Sequence, residues 1–221
     1  TVFAVWQICK NPIVRIMWVG GNEEIAKNAV GAVVDHLEHN EKLIEDFCIP
    51  GQTFKPKNRS GKSWTSGHFT VGTRTVTGIK SPTMVAVGKG GKILSRDCDL
   101  IIADDIEDHS TTIQPSAREQ TRQWWTTTLS SRKEEHTAIV VIGSRQHPED
   151  IYNFLLDNPE FDTLVEEAHS SECILPELDI EEHTDCMLWE GKRSYKWLLS
   201  QKNNADTTAV SYTHLTMTTK A

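Results

Sequence analysis

Along the chain, short runs that are apolar almost without interruption alternate with longer stretches whose apolar residues recur every three or four positions. Val14-Arg15-Ile16-Met17-Trp18-Val19, Leu100-Ile101-Ile102-Ala103 and Thr137-Ala138-Ile139-Val140-Val141-Ile142-Gly143 are of the first kind, the pattern of strands buried on both faces. Between them, Thr1 to Lys10 places Val2, Val5, Trp6 and Cys9 on one helical face and closes at Asn11-Pro12. After Gly20-Gly21, Asn22 is placed to cap a helix bearing Ile25, Ala29, Ala32, Val33 and Leu37. Pro115 to Leu129, with Trp124-Trp125, and Asp150 to Leu156 also read as helices. Weaker strand candidates are His68 to Val71, Met84 to Val87 and Phe161 to Ala168. No internal repeat is present. The alternation predicts an α/β class with a mostly parallel sheet covered by helices.

Composition adds bounds. At 221 residues with 38% hydrophobic side chains, the chain is long enough for one sizeable core or two small ones. No apolar run approaches the ~20 residues that span a bilayer, and Thr-Val-Phe-Ala lacks the flanks of a secretory signal. The expectation is a soluble intracellular protein with no membrane partner. The five cysteines, Cys9, Cys48, Cys98, Cys173 and Cys186, are widely spaced with no Cys-x-x-Cys pair, which predicts reduced thiols rather than a zinc ribbon. A net charge of −8 argues against coating a polyanion. Yet from Thr53 to Arg96 there are nine basic residues, Lys55, Lys57, Arg59, Lys62, Arg74, Lys80, Lys89, Lys92 and Arg96, and no Asp or Glu. With Trp64, His68 and Phe69 interleaved, this segment has the makings of a phosphate-binding, base-stacking face. A solvated β-rich excursion is the other reading.

Chemistry concentrates at strand ends. Leu100 to Ala103 drives a central strand into the core and delivers Asp104-Asp105 at its carboxyl edge, where ligand sites of open α/β sheets lie. In phosphoryl transfer the first acid, Asp104, holds Mg²⁺, and Asp105 orients or deprotonates water. Six acids fall between Asp97 and Asp108, a density that repels itself without a cation. A helix N-terminus that favours acids is the alternative. The strand Ile139 to Ile142 ends in Gly143-Ser144-Arg145-Gln146-His147, which puts Ser144, Arg145 or Gln146 beside Asp104 if the two strands are neighbours. Gly61-Lys62-Ser63 has the ending of a phosphate-binding loop, but the required earlier glycine is Pro56, and neither a strand nor a helix flanks it. The histidines are scattered, Trp124-Trp125 fits core packing, and no nucleophile elbow exists.

Three stretches then resemble the ATPase domain of the large terminase subunit of tailed bacteriophages. Arg15 to Ala26, continued by Asn40 to Phe47, is similar to the strand and helix after that family's phosphate loop. Asp99 to Asp108 looks like its Walker B strand, and Ile142 to Tyr152 like its coupling motif. Cys186 to Glu190 and Ser194 to Leu198 resemble the segment leading towards its nuclease domain.

The resemblance implies a P-loop NTPase (RecA-like) core, incomplete at the N-terminus, that uses ATP and Mg²⁺ to drive double-stranded DNA into a prohead. It implies a partial ATPase domain over residues 1–170, a connector over 171–205 and an unstructured tail over 206–221. Thr1 would be the phosphate loop's last residue and bind nucleotide with Asp104 and Ser144. Asp104 would hold the metal, Asp105 stands where the family has Glu, and Ser144 and Arg145 would couple phosphate loss to movement, with Gln146 in place of the usual Trp. Lys55, Lys57, Arg59, Lys62 and Arg74 would face DNA. The implied partners are the small terminase subunit, the portal protein and copies of the chain in a ring, in host cytoplasm at the prohead portal. The chain as it stands is expected to be nearly inactive. Another P-loop motor such as a DNA helicase, or a non-catalytic DNA-binding module, is the alternative.

Overall fold

The computed structural model describes residues 1–57, 61–91, 93, 97–175, 182–204 and 214–219. The apolar runs form strands. β1 (Ile16–Gly20), β3 (Met84–Gly88), β4 (Leu100–Asp104) and β5 (Ala138–Gly143) pair in parallel. With β2 (His68–Phe69), β6 (Phe161–Glu166) and β7 (His214–Thr219), they make a seven-stranded sheet in the order β2-β3-β1-β4-β5-β7-β6. β2 and β7 run antiparallel to their neighbours. The protein is thus a mixed α/β fold whose mostly parallel sheet is covered by helices, an architecture compatible with RecA-like proteins. No helix among the described residues is long and apolar enough to cross a membrane.

Because successive strand side chains point to opposite faces, the sheet separates two cores. Ile16, Trp18, Leu100 and Ile102 pack with α1 (Val2–Lys10) and α2 (Glu23–His39). Met17, Val19, Ile101, Ala103 and Val141 pack with α5 (Pro115–Trp124) and α6 (Ile151–Leu156). Three shorter elements complete the set: α3 (Glu41–Phe47), α4 (His109–Thr112) and α7 (Tyr195–Asn204). The Asn22 side chain caps α2, accepting from Ile25 N–H at 2.9 Å.

Several expectations differ from the structure. The buried stripe of α1 is Ala4, Val5 and Ile8, with Val2 and Trp6 exposed, and that of α2 is Ala26, Val30, Val33 and Leu37, with Ile25 exposed. Ala26 lies against β1, its backbone close to Gly20, where a small side chain lets α2 approach the sheet. Helix α5 ends at Trp124 and continues as a π-helical turn, Trp125–Leu129. The wider turn lets consecutive Trp124 and Trp125 both enter the core. Cys173 and Cys186 are joined by a disulfide rather than both reduced. The tail expected to be unstructured over 206–221 contains β7, whose backbone bonds to both β5 and β6.

Candidate functional site

The parallel register brings four strand ends level. Gly88 of β3 pairs with Gly20 of β1, Gly20 with Asp104 of β4, and Asp104 with Ile142 of β5. α2 starts hard against this edge: a Cβ on Gly88 would overlap the backbone of Asn22 and Glu23, so only glycine fits. Asp104 is half-buried there. Burial and then the neighbouring charge of Asp105 raise its pKa. Thr1 stands at the cap position of α1.

Asp105 is exposed and has φ of +44°, a left-handed conformation that costs a non-glycine residue roughly 1 kcal/mol or more. Its N–H donates to Ile142 O at 3.0 Å, which ties the turn after β4 to β5. Stored backbone strain of this kind clusters where a side chain must be aimed.

Ser144 and Arg145 follow directly on β5. The Arg145 guanidinium donates through Nε to fully buried Asp150 at 3.1 Å, and Asp150 also accepts the N–H groups of Gln146 and His147 at 2.9 and 3.1 Å. Through its other oxygen Asp150 caps α6 at Asn153 N–H, 2.9 Å away. The loop after β5 is thus held from beneath, at the edge where Asp104 ends β4.

Two functional neighbours were missed as such. Glu107, read only as part of the acidic cluster, is buried, and its carboxylate accepts Ile151 N–H at 2.7 Å. Burial raises its pKa. Lys89, counted only as one cation of the basic segment, sits just after β3 at the same edge. Burial lowers its pKa while the charges of Glu107 and Asp108 act to raise it. The signal was in the sequence: a lysine directly after an apolar strand, and six acids with no nearby partner.

Among the described residues assigned to DNA, Lys55, Lys57, Lys62 and Arg74, not all present a free cation at the surface. Arg74 is buried, and its guanidinium donates to the carbonyls of Pro12, Ser81 and Val14 at 3.2, 2.8 and 2.8 Å. Lys62 donates to the carbonyls of Val71 and Arg74 at 3.2 and 2.6 Å. Lys55 pairs with Glu38 at 2.5 Å. Lys62 and Arg74 are spent on the fold, because a loop-rich segment must satisfy its carbonyls and long cations reach them, while Lys55 is held in an ion pair with half its side chain exposed. Lys57 is exposed, and Arg59 lies outside the described residues. The groove beside them, about 750 Å³ and lined by Lys62, His68, Arg74 and Lys80, is at the amino-terminal edge of the sheet, away from Asp104.

As for a metal, Asp104 offers an oxygen ligand in a half-buried site where two like charges adjoin, and a divalent cation would relieve both desolvation and repulsion. The donor set fits a hard cation such as Mg²⁺. No protein-family model matches the chain, and no curated protein matches it.

Proposed function

We propose that the chain is part of the ATPase core of a viral DNA-packaging motor, the large terminase subunit, in which ATP hydrolysis drives double-stranded DNA into a prohead. The observation that carries this reading is the meeting of Asp104-Asp105 and the Ser144-Arg145 loop at one carboxyl edge. In this reading Asp104 holds Mg²⁺ and Asp105, already turned by its backbone, orients and deprotonates the attacking water. Thr1 and the first N–H groups of α1 face the phosphates, where a helix start favours anions. Bound Mg²⁺ supplies charge neutralisation on the phosphate oxygens. Ser144 and Arg145, held by Asp150, link the site to α6, the element that would feel phosphate loss. Double-stranded DNA, the small terminase subunit, the portal protein and copies of the chain in a ring are the partners that go with this function. A purely DNA-binding module is less well supported, since Lys55, Lys62 and Arg74 are engaged within the fold.

The test is nuclear magnetic resonance with ATP and Mn²⁺ as a paramagnetic substitute for Mg²⁺. Amide signals of Gly20, Asp104, Asp105 and Ser144 should broaden first, and the broadening should vanish in Asp104→Asn, whose fold the isosteric amide preserves. Absence of binding at millimolar nucleotide, or broadening centred on residues 61–82, would refute the assignment.

A further inference from the structure

Between β6 and α7 the chain carries a small unit with an inverted arrangement of polarity. Its large apolar side chains face water: Ile174 is 95% and Trp189 65% exposed. A histidine lies inside: His183 is 1% exposed. Among the described residues of this unit hydrophobic burial is slight, and a unit this small gains from a cross-link.

The donors that converge are His169, Cys173, His183 and Cys186, whose ligand atoms all lie within 4.8 Å of one another. They come from two arms, each giving one histidine and one cysteine: His169-x₃-Cys173 after β6, and His183-x₂-Cys186 on a short 3₁₀ turn, Glu182–Cys186. The arms are zipped by an antiparallel bridge between His169 and Met187. Ser170 N–H donates to Cys186 O at 2.8 Å and Leu188 N–H to Ala168 O at 3.1 Å. Inside, His169 Nε2 is 2.8 Å from His183 Nδ1, and Cys173 Sγ is 3.6 Å from the same nitrogen. Zinc–nitrogen and zinc–sulfur bonds of roughly 2.0 and 2.3 Å imply tetrahedral edges of about 3.3 to 3.8 Å, so small shifts would turn this cluster into a coordination shell. Tyr195 stacks on His183 with ring centroids 3.8 Å apart, fixing that imidazole's plane, as supporting residues around zinc sites do.

We propose that in the reduced chain His169, Cys173, His183 and Cys186 bind one structural zinc ion, and that the Cys173–Cys186 disulfide is the oxidised, metal-free form of the same site. Four protein ligands close the shell, leaving no position for substrate, so the role is to hold the unit folded. The two forms interconvert with balanced chemistry. Two molecules of a low-molecular-weight thiol deliver two electrons and two protons to the disulfide and leave as their own disulfide. Zinc then displaces the two thiol protons to solvent.

The whole chain, purified under thiol reductant, should retain one equivalent of zinc by elemental mass spectrometry. Replacement by Co²⁺ should give the visible bands of a tetrahedral site together with thiolate-to-cobalt charge transfer. Diamide, a thiol oxidant, should release the metal and yield a Cys173–Cys186 disulfide by peptide mapping. Cys186→Ser should lose the metal. Should that variant fail to fold, His169→Cys provides the independent check, raising charge-transfer intensity about 1.5-fold as thiolates go from two to three. Zinc at background in the reduced wild type, an octahedral cobalt spectrum, or no spectral change in His169→Cys would each overturn the site.

Discussion

At residue 143 the backbone of β5 and the ring of Tyr152 compete for the same space. A Cβ on Gly143 would overlap the Tyr152 ring carbons and hydroxyl oxygen, and Tyr152 is itself wholly buried in the core beneath α6. Gly143→Ala is therefore expected to cost about 2–3 kcal/mol by overpacking, read from urea denaturation. In a Tyr152→Leu background the same change should cost much less, since the two residues share one contact. A loss under about 0.5 kcal/mol in the wild-type background would show that the close approach is not obligatory. Gly143 was legible in the sequence only as turn punctuation, because its real constraint comes from a residue nine positions later on a different element. Arg74 was misread for a related reason. Composition treats every cation alike, whereas the folded loop aims this one at backbone carbonyls. Asp104 was legible because a fully apolar run followed by an acid leaves few places for that acid except a strand's end.

Elements were easier to find than to orient. The central strands follow from their uninterrupted apolar runs, and α2 from its cap at Asn22, but the buried faces of α1 and α2 are rotated from the expected ones, with Ala26 of α2 set against β1. The start of α6 is the best-determined element boundary, since Asp150 serves the helix, the preceding loop and Arg145 together. Asp150→Asn removes the buried charge that pairs with Arg145 and offers one acceptor oxygen in place of two. Breaking one partner of a buried pair costs about 3 kcal/mol, equivalent to roughly 6–12 °C in Tm at this chain length. Scanning calorimetry should show this drop, with hydrogen exchange at Gln146, His147 and Asn153 rising most. A Tm within about 2 °C of wild type would mean that the loop is fixed by other contacts.

On the scale of the whole molecule, the two ends of the sheet are built for different purposes. The β7 strand was overlooked although Leu215 and Met217 alternate with threonines at strand period, since six residues at that spacing do not stand out until two strand edges await them. The carboxyl edge holds acids against their preference: burial raises the pKa of both Asp104 and Glu107, so ionising them weakens the fold. The amino edge does the reverse. Asp99, at the entry to β4, accepts from Arg15 N–H at 2.8 Å and from its guanidinium, and lies 3.3 Å from His136 Nε2. Burial works against its charge, but the hydrogen bonds from Arg15 prevail and its pKa is lowered. An acid with a depressed folded pKa contributes stability that is complete above its unfolded value, about 3.9, and is lost as pH falls through the folded value. Glu38, Asp108 and Glu149 shift the same way, so the overall acid transition mixes groups of both signs. The difference between wild type and Asp99→Asn isolates one of them. That difference should be about 1–2 kcal/mol at neutral pH, hold constant down to about pH 5, and shrink progressively below about pH 4 as pH falls towards the lowered folded value. Urea denaturation at pH 7, 5 and 3.5 measures it directly. A gap that persisted undiminished at pH 3.5 would mean that Asp99 acts through its shape and not its charge, and that the amino edge is not held by the ion pair with Arg15.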